Sequence, residues 1–425
     1  MKKILLFGAG KSATVLIDYL LSEAAENRWT VIIADANREI ILEKTNYSDL
    51  VEAVELDINN DAERAKLIRQ ADIVISMMPP SLHFFIARDC VEFGKNLLTA
   101  SYVDPLIESL RQRIEEKKLL FLCEMGLDPG IDHMSAMKLL DEIREKGGTV
   151  TSFKSHCGGL VAPESDNNPW HYKISWNPRN VVMAGKAGAE YKLNNEVLHK
   201  SYSELFKNCT EVNIEEVGKL ACYPNRDSLS YMPVYKLGNA ETFLRTTLRY
   251  SAFCVAWDAI VAADLANDLE LLDTKKLTFK EWSSPIHSFI NDSNLAQLTY
   301  LGLFDDEPVP EKAISSADIL QFLLEKKLAM QPDDKDMIVM LHEIEYILAG
   351  STHKIESSLV VKGADSMRTA MAKTVGLPLG IAAKLILNGR IQLSGIHIPT
   401  SKAIYEPVLK ELALAGINFT EKIKD

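Results

Sequence analysis

The sequence predicts an α/β protein in two parts: a doubly wound parallel sheet in residues 1–125, then a second α/β domain carrying a helical insertion. Three observations predict it. Short apolar runs of strand length alternate with amphipathic helical patterns through the first part, as βαβ crossovers require. A glycine-rich loop stands between the first strand and the first helix. Beyond residue 126 the pattern changes to strand-like and mixed segments, then to a mostly helical stretch within 251–334, and then back to strands.

Taken in order, the strands of the first part are 3–7, 30–34, 53–56, 73–76, 96–100 and 119–123, with helices such as 13–25 and 106–117 between them. Residues 149–156 read as a strand feeding a Gly/Pro/Asn-rich stretch, 157–169, and further strand-like segments run to about 250. Strands return at 336–342 and 354–361. Residues 366–387 read as a helix opened by Asp365 or Ser366 and broken or kinked at Gly376-Leu377-Pro378. Met77-Met78, Met367 and Met371 read as core packing.

Composition narrows the function. With 425 residues, 47% hydrophobic and 25% charged, the chain has the make-up of a globular protein. A net charge of −12 without a basic block leaves no broad cationic footprint, so nucleic acid is not an expected partner. The apolar opening run meets Gly8, Gly10 and Lys11 too soon for a signal peptide, and no uncharged apolar stretch reaches the ~18 residues of a membrane span. Six scattered cysteines without a C-x-x-C pair read as reduced thiols. The expectation is a cytoplasmic enzyme that needs neither membrane nor metal.

Gly8-Ala9-Gly10-Lys11-Ser12-Ala13 fits G-x-G-x-x-A, a variant of the dinucleotide fingerprint of Rossmann domains. The first glycine allows the tight turn, the second lets backbone approach a pyrophosphate, and Ala13 permits close helix–strand packing at a helix N-terminus. Asp35 ends the second strand, where a carboxylate accepts hydrogen bonds from a ribose 2′-hydroxyl and repels a 2′-phosphate. That favours NAD, although Arg38 keeps NADP possible. Asp57 with Ile58 could meet the adenine, or Asp57 could be a turn residue. Ser76 and Pro79 follow the fourth strand, where the nicotinamide half commonly passes.

Four further stretches are rich in residues that do chemistry: Thr99-Ala100-Ser101-Tyr102, the segment from Gly126 to His133, His156-Cys157-Gly158-Gly159, and the segment from Cys222 to Ser228. With GGLVAPESDNNPWHYKISW, Thr247-Leu248-Arg249-Tyr250 and Met371-Ala372-Lys373-Thr374-Val375-Gly376-Leu377-Pro378, in order over nearly the whole chain, the sequence resembles the L-glutamate-forming saccharopine dehydrogenase family. It also resembles the corresponding domain of aminoadipate semialdehyde synthase. The resemblance implies a Rossmann NAD(P)-binding domain (1–125, completed by about 390–425), a mixed α/β substrate and dimerisation domain (126–250 and 335–389), and a helical insertion (251–334). It implies a homodimer that oxidises saccharopine with water to L-glutamate and 2-aminoadipate 6-semialdehyde, in lysine metabolism. Residue by residue, it places Ser101, Tyr102 and Asp128 at the substrate, Leu127 and Pro129 along the cofactor, and Cys157 as a thiol supporting proton chemistry. Arg226, Arg249, Thr247 and, more weakly, Lys173 would contact substrate carboxylates. Pro80 and Thr246 depart from the family pattern.

The chemistry suits these residue types. Hydride leaves to a nicotinamide, while protein groups must deprotonate the secondary amine and the incoming water. Asp128 and Cys157 are the candidates, with Tyr102 beside them and with Asp132 and His133 as rivals. Three substrate carboxylates call for a local cationic pocket, which arginine forks supply. Two other readings compete: a carboxynorspermidine-type dehydrogenase, whose cationic substrate would call for acids instead, and a non-catalytic nucleotide sensor.

Overall fold

A computed structural model describes residues 1–424, and the chain divides into two compact units. The first unit is Met1–Glu142 with Met367–Asn418. Its strands are β1 (Lys3–Phe7), β2 (Thr30–Asp35), β3 (Val51–Glu55), β4 (Ile73–Ser76), β5 (Asn96–Thr99) and β6 (Leu120–Leu122). They form a parallel sheet in the order β3-β2-β1-β4-β5-β6, extended past β6 by Gly395–His397. The order reverses between β1 and β4, so the carboxyl ends of those two strands make the crevice in which such sheets bind ligands. β1 and β4 are buried almost throughout, which is why their sequences are runs of Ile, Leu and Val rather than alternating patterns.

Helix Ala370–Leu387 packs on helix Thr14–Asn27 in this unit. A side chain at Gly376 would begin 2.9 Å from Leu16 Cβ, and one at Gly380 2.5 Å from Tyr19 Cδ1, so both glycines permit close approach. The helix is not broken at Pro378: thirteen of its eighteen residues are buried, and that packing outweighs one missing N–H bond. By length and mean hydropathy (1.5) it passes for a membrane span, but it is 72% buried and carries Lys373 and Lys384, as a core helix does.

The second unit is Ile143–Ser366 with the C-terminal strand Thr420–Lys424. Its mixed sheet uses β7 (Thr149–Val161), β8 (Ala189–Leu193), β9 (Glu196–Lys200), β10 (Thr210–Ile214), β11 (Gly218–Pro224), β12 (Arg226–Asp227), β13 (Thr242–Arg249), β14 (Asp336–Leu348) and β15 (Ser351–Lys362). The main path runs β10-β11-β13-β7-β14-β15 and ends on Thr420–Lys424. The strand that the sequence places at 149–156 runs on into the Gly/Pro/Asn-rich stretch as far as Val161. A side chain at Gly158 would begin 2.5 Å from the Leu248 carbonyl, so the glycine lets β13 lie close against a continuous β7.

Helices such as Ser251–Ala262 and Ser316–Lys327 do not form a separate body. Trp257, Leu298 and Leu320 share one core with Trp170, Tyr172 and Tyr223 from outside that stretch. The boundaries also differ from the expected ones. Residues 126–142 and 367–389 pack with the parallel sheet, and the last strand pairs with β15 rather than completing the first domain.

Candidate active site

The nucleotide loop is built by β1 and β4. Gly8 has φ +95°, and a side chain there would begin 3.0 Å from the Met77 carbonyl, so only glycine fits the turn. Its N–H donates to Ala34 O at 2.9 Å, and the next N–H, of Ala9, donates to Asp35 Oδ2 at 2.7 Å. Asp35 Oδ1 accepts from Asn37 N–H at 3.0 Å. Lys44 Nζ donates to Gly10 O at 2.6 Å; burial brings this amine down to about 8, although Asp35 pulls the other way. Gly10 itself is exposed with open space where a side chain would stand. Lys11, Ser12 and Ala13 then form the short turn that opens helix Thr14–Asn27. A rigid, uncrowded loop at a helix N-terminus fits a dinucleotide pyrophosphate.

Asp57 is a turn residue: its Oδ1 accepts from the Asn59 backbone and side-chain N–H groups at 2.9 and 3.0 Å. Ile58 is buried core. Pro79 is exposed just beyond β4, and Arg38 is exposed near the end of β2.

The ends of β4, β5 and β6 gather the next group. Ser76 is buried, and Ser101 and Tyr102 are half-buried. His83, which sequence reasoning passed over, joins the two serines: Nδ1 lies 2.8 Å from Ser76 Oγ and Nε2 2.7 Å from Ser101 Oγ. Glu124, also passed over, sits at φ +57° with Oε2 2.8 Å from His133 Nε2, both side chains buried. Leu127 and Pro129 are buried, and Asp128 is half-buried in a loop closed by Gly126 N–H to Pro129 O at 3.0 Å. Asp132 caps that loop, accepting from Gly130 N–H at 2.6 Å.

In the second unit, strand register sorts the candidates. Cys157 on β7 pairs with Thr247 on β13, which pairs with Tyr223 on β11. Arg249 lies two residues further along, on the same face. Arg249 is 5% exposed, with Cζ 5.3 Å from the Tyr172 ring centroid and 5.4 Å from that of Phe253. Nη1 donates to Leu248 O at 2.8 Å, while Nε has no hydrogen-bond partner among the described residues. Lys173 is buried in an ion pair with Asp334 at 2.6 Å, which accounts for its charge. Arg226 is exposed, at φ +52°.

Thr246 faces the other way. Its hydroxyl lies 2.7 Å from His156 Nδ1, and His156 Nε2 lies 3.1 Å from Glu343 Oε2. Cys222 joins that group, with Thr210 Oγ1 3.1 Å from its sulfur. Burial alone would raise this thiol, but His156 beside it draws it below its ordinary value.

Comparison with known proteins decides the family. Residues 4–122 match the saccharopine dehydrogenase NADP binding domain, and residues 126–417 match the saccharopine dehydrogenase C-terminal domain. The chain belongs to the saccharopine dehydrogenase family. It is 31% identical to the NADP(+), L-glutamate-forming saccharopine dehydrogenase of Schizosaccharomyces pombe, over 100% of both chains. It is 35% identical to the mitochondrial alpha-aminoadipic semialdehyde synthase of Bos taurus, over 99% of this chain and 47% of that protein. The chain thus spans about half the length of the animal relatives it matches. The apo L-Glu-forming saccharopine dehydrogenase of Saccharomyces cerevisiae superposes with TM-score 0.89 at 30% identity, covering 100% of both chains.

These matches overturn the preference for NAD. The matched domain is an NADP binding domain, and the fungal relatives are named for NADP(+). In the structure both Asp35 oxygens accept backbone N–H bonds, from Ala9 and Asn37, so the carboxylate ties the loop together, a role that needs no ribose hydroxyl.

Proposed function

We propose that this chain catalyses the reversible NADP-dependent oxidation of saccharopine with water to L-glutamate and 2-aminoadipate 6-semialdehyde, in lysine metabolism. The observation that carries the reading is Arg249, a buried guanidinium whose Nε has no partner among the described residues. A buried cation is costly unless an anion joins it, and a substrate carboxylate is such an anion. A carboxynorspermidine-type substrate would call for buried acids at this position instead.

Gly8, Gly10, Lys11, Ser12 and Ala13 would hold the pyrophosphate of NADP, with Arg38 on its 2′-phosphate and Ser76, Pro79, Leu127 and Pro129 along the remainder. NADP supplies the hydride acceptor. Asp128 takes the proton from the substrate's secondary amine, leaving the nitrogen lone pair available as the neighbouring carbon is oxidised. Cys157 assists the water that adds to the resulting imine, and Tyr102 and Ser101 orient the substrate. Arg249 and Thr247 bind one carboxylate, and Arg226 another. The same reading takes the enzyme to be a cytoplasmic homodimer. The six cysteines are free thiols, in keeping with a reducing compartment; a monomer in sedimentation equilibrium would remove the dimer.

The test is NADPH formation from saccharopine, with carboxynorspermidine in parallel. Turnover of saccharopine alone is expected. Tight NADP binding without turnover of saccharopine would sink the proposal.

A further inference from the structure

We propose that His83 is a positioning residue: its ring joins the Ser76 and Ser101 hydroxyls and holds the Ser101 hydroxyl in a single orientation for the substrate. The inference rests on the substrate role of Ser101 proposed above, and it adds a residue that neither the sequence motifs nor the comparisons single out.

The geometry is closed on every side but one. Ser101 N–H donates to Thr99 Oγ1 at 3.2 Å, and Ser101 O accepts from Glu124 N–H at 3.0 Å, so its backbone is pinned from β5 and from the end of β6. The remaining freedom is rotation of the side chain and its hydroxyl. His83 Nε2, 2.7 Å away, removes it. The ring is itself fixed by Ser76 Oγ at 2.8 Å on Nδ1 and by its place at the start of helix His83–Phe93, where it is 1% exposed. Thr99 Oγ1, 3.4 Å from Nε2, completes its surroundings.

Among the described residues both ring nitrogens thus meet hydroxyls and neither meets a carboxylate. Burial keeps the imidazole neutral, bringing it down to about 4, with Asp104 the one charge pulling it up. A neutral imidazole has one donor and one acceptor nitrogen. Whichever tautomer is present therefore sets whether Ser101 accepts from the ring and donates to the substrate, or the reverse. A histidine that activates a nucleophile needs a partner to stabilise its charged form. Among the described residues this one has none, and so it orients a hydroxyl rather than carrying a proton.

The experiment compares His83→Ala, His83→Gln, Ser101→Ala and the double variant His83→Ala/Ser101→Ala, with saccharopine and NADP. Loss of one short hydrogen bond predicts a roughly tenfold fall in kcat for His83→Ala, with NADP KM held within about twofold. His83→Gln, which keeps a polar end toward Ser101, should recover most of the loss. The double variant should be no slower than Ser101→Ala, because both changes remove the same interaction. A double variant whose loss equals the product of the two single losses overturns the proposal.

A second readout does not depend on turnover. Ring 15N chemical shifts should show His83 neutral and in one tautomer from about pH 5 upward, with the tautomer ratio changed by Ser101→Ala. A His83 ring that titrates near its ordinary value, or whose tautomers ignore Ser101, defeats the proposal on its own. Absence of saccharopine turnover in the wild type would defeat the proposed function and leave this readout to decide His83.

Discussion

Replacing Arg249 by methionine separates a binding role from a structural one. Among the described residues the guanidinium donates to the Leu248 carbonyl and leaves Nε unbonded. A cation removed from water without an anion carries a penalty of several kcal/mol, on the order of 3 or more per ion after relaxation. Contacts over Tyr172 and Phe253 offset about 0.5–2 kcal/mol of that. Methionine keeps much of the volume and brings no charge. The ligand-free variant is therefore expected to gain about 1–4 kcal/mol, as when other buried ionic groups are exchanged for apolar ones.

Substrate binding should move the other way. Removing one member of a desolvated charge pair costs about 2–5 kcal/mol, roughly 30-fold to several thousand-fold in saccharopine KM. The assay pairs urea unfolding without ligands, read as the midpoint at constant m value, with initial rates for saccharopine and NADP. A variant that unfolds at lower urea and keeps the wild-type saccharopine KM would show that Arg249 is a structural tie, and the carboxylate argument would be refuted.

Other expectations follow from single contacts. A side chain at Gly130 would begin 2.0 Å from Gly126 O at φ +148°, so Gly130→Ala should lower stability by about 2–4 kcal/mol and abolish turnover; an unchanged Tm would contradict the loop geometry. Asp35→Ala leaves the Ala9 and Asn37 N–H groups without their acceptor and should cost about 1–3 kcal/mol while raising NADP KM; wild-type values for both would show that the carboxylate does not tie the loop. His83 binds protons less readily folded than unfolded, so its stabilisation is complete above about pH 6.5. It is lost as pH falls toward about 4, amounting to about 3 kcal/mol. The urea midpoint should fall less between neutral and acid pH in His83→Gln, and an equal fall in the two proteins would count against the buried neutral ring.

What the sequence disclosed about the site follows the range of the interactions. The Gly8 loop was legible because its needs are local: a turn that only glycine makes, a small residue at the helix start, a strand before it. Asp35 was legible as a position but not as a role, since the Ala9 N–H that it accepts reaches it only once β1 and β2 are side by side, while its bond to Asn37 is local. His83 and Glu124 were missed because Ser76, Ser101 and His133 reach them from separate strands and a helix. Lys173 looked like a free cation until Asp334 arrived from far along the chain. The strand reading stopped before Gly158 and Gly159 because nothing nearby in sequence announces the Leu248 carbonyl that requires Gly158 to be small.

The sharpest division in the second unit comes from alternation along two paired strands. His156 and Cys157 are neighbours in sequence, as are Thr246 and Thr247, yet each pair is split between faces. Thr246 bonds His156 on the face that holds Glu343 and Cys222, while Thr247 stands opposite Cys157 on the face of Tyr223 and Arg249. A slip of one residue between β7 and β13 would turn Thr247 and Arg249 to the face of His156 and Glu343 and leave Cys157 on the face of Thr246, away from the buried guanidinium. Gly158 opposes the slip that would bring Cys157 to the Leu248 carbonyl, where a side chain would begin 2.5 Å away. The departure at Thr246 therefore alters the His156 face, and the row that carries Cys157, Thr247 and Arg249 keeps its composition.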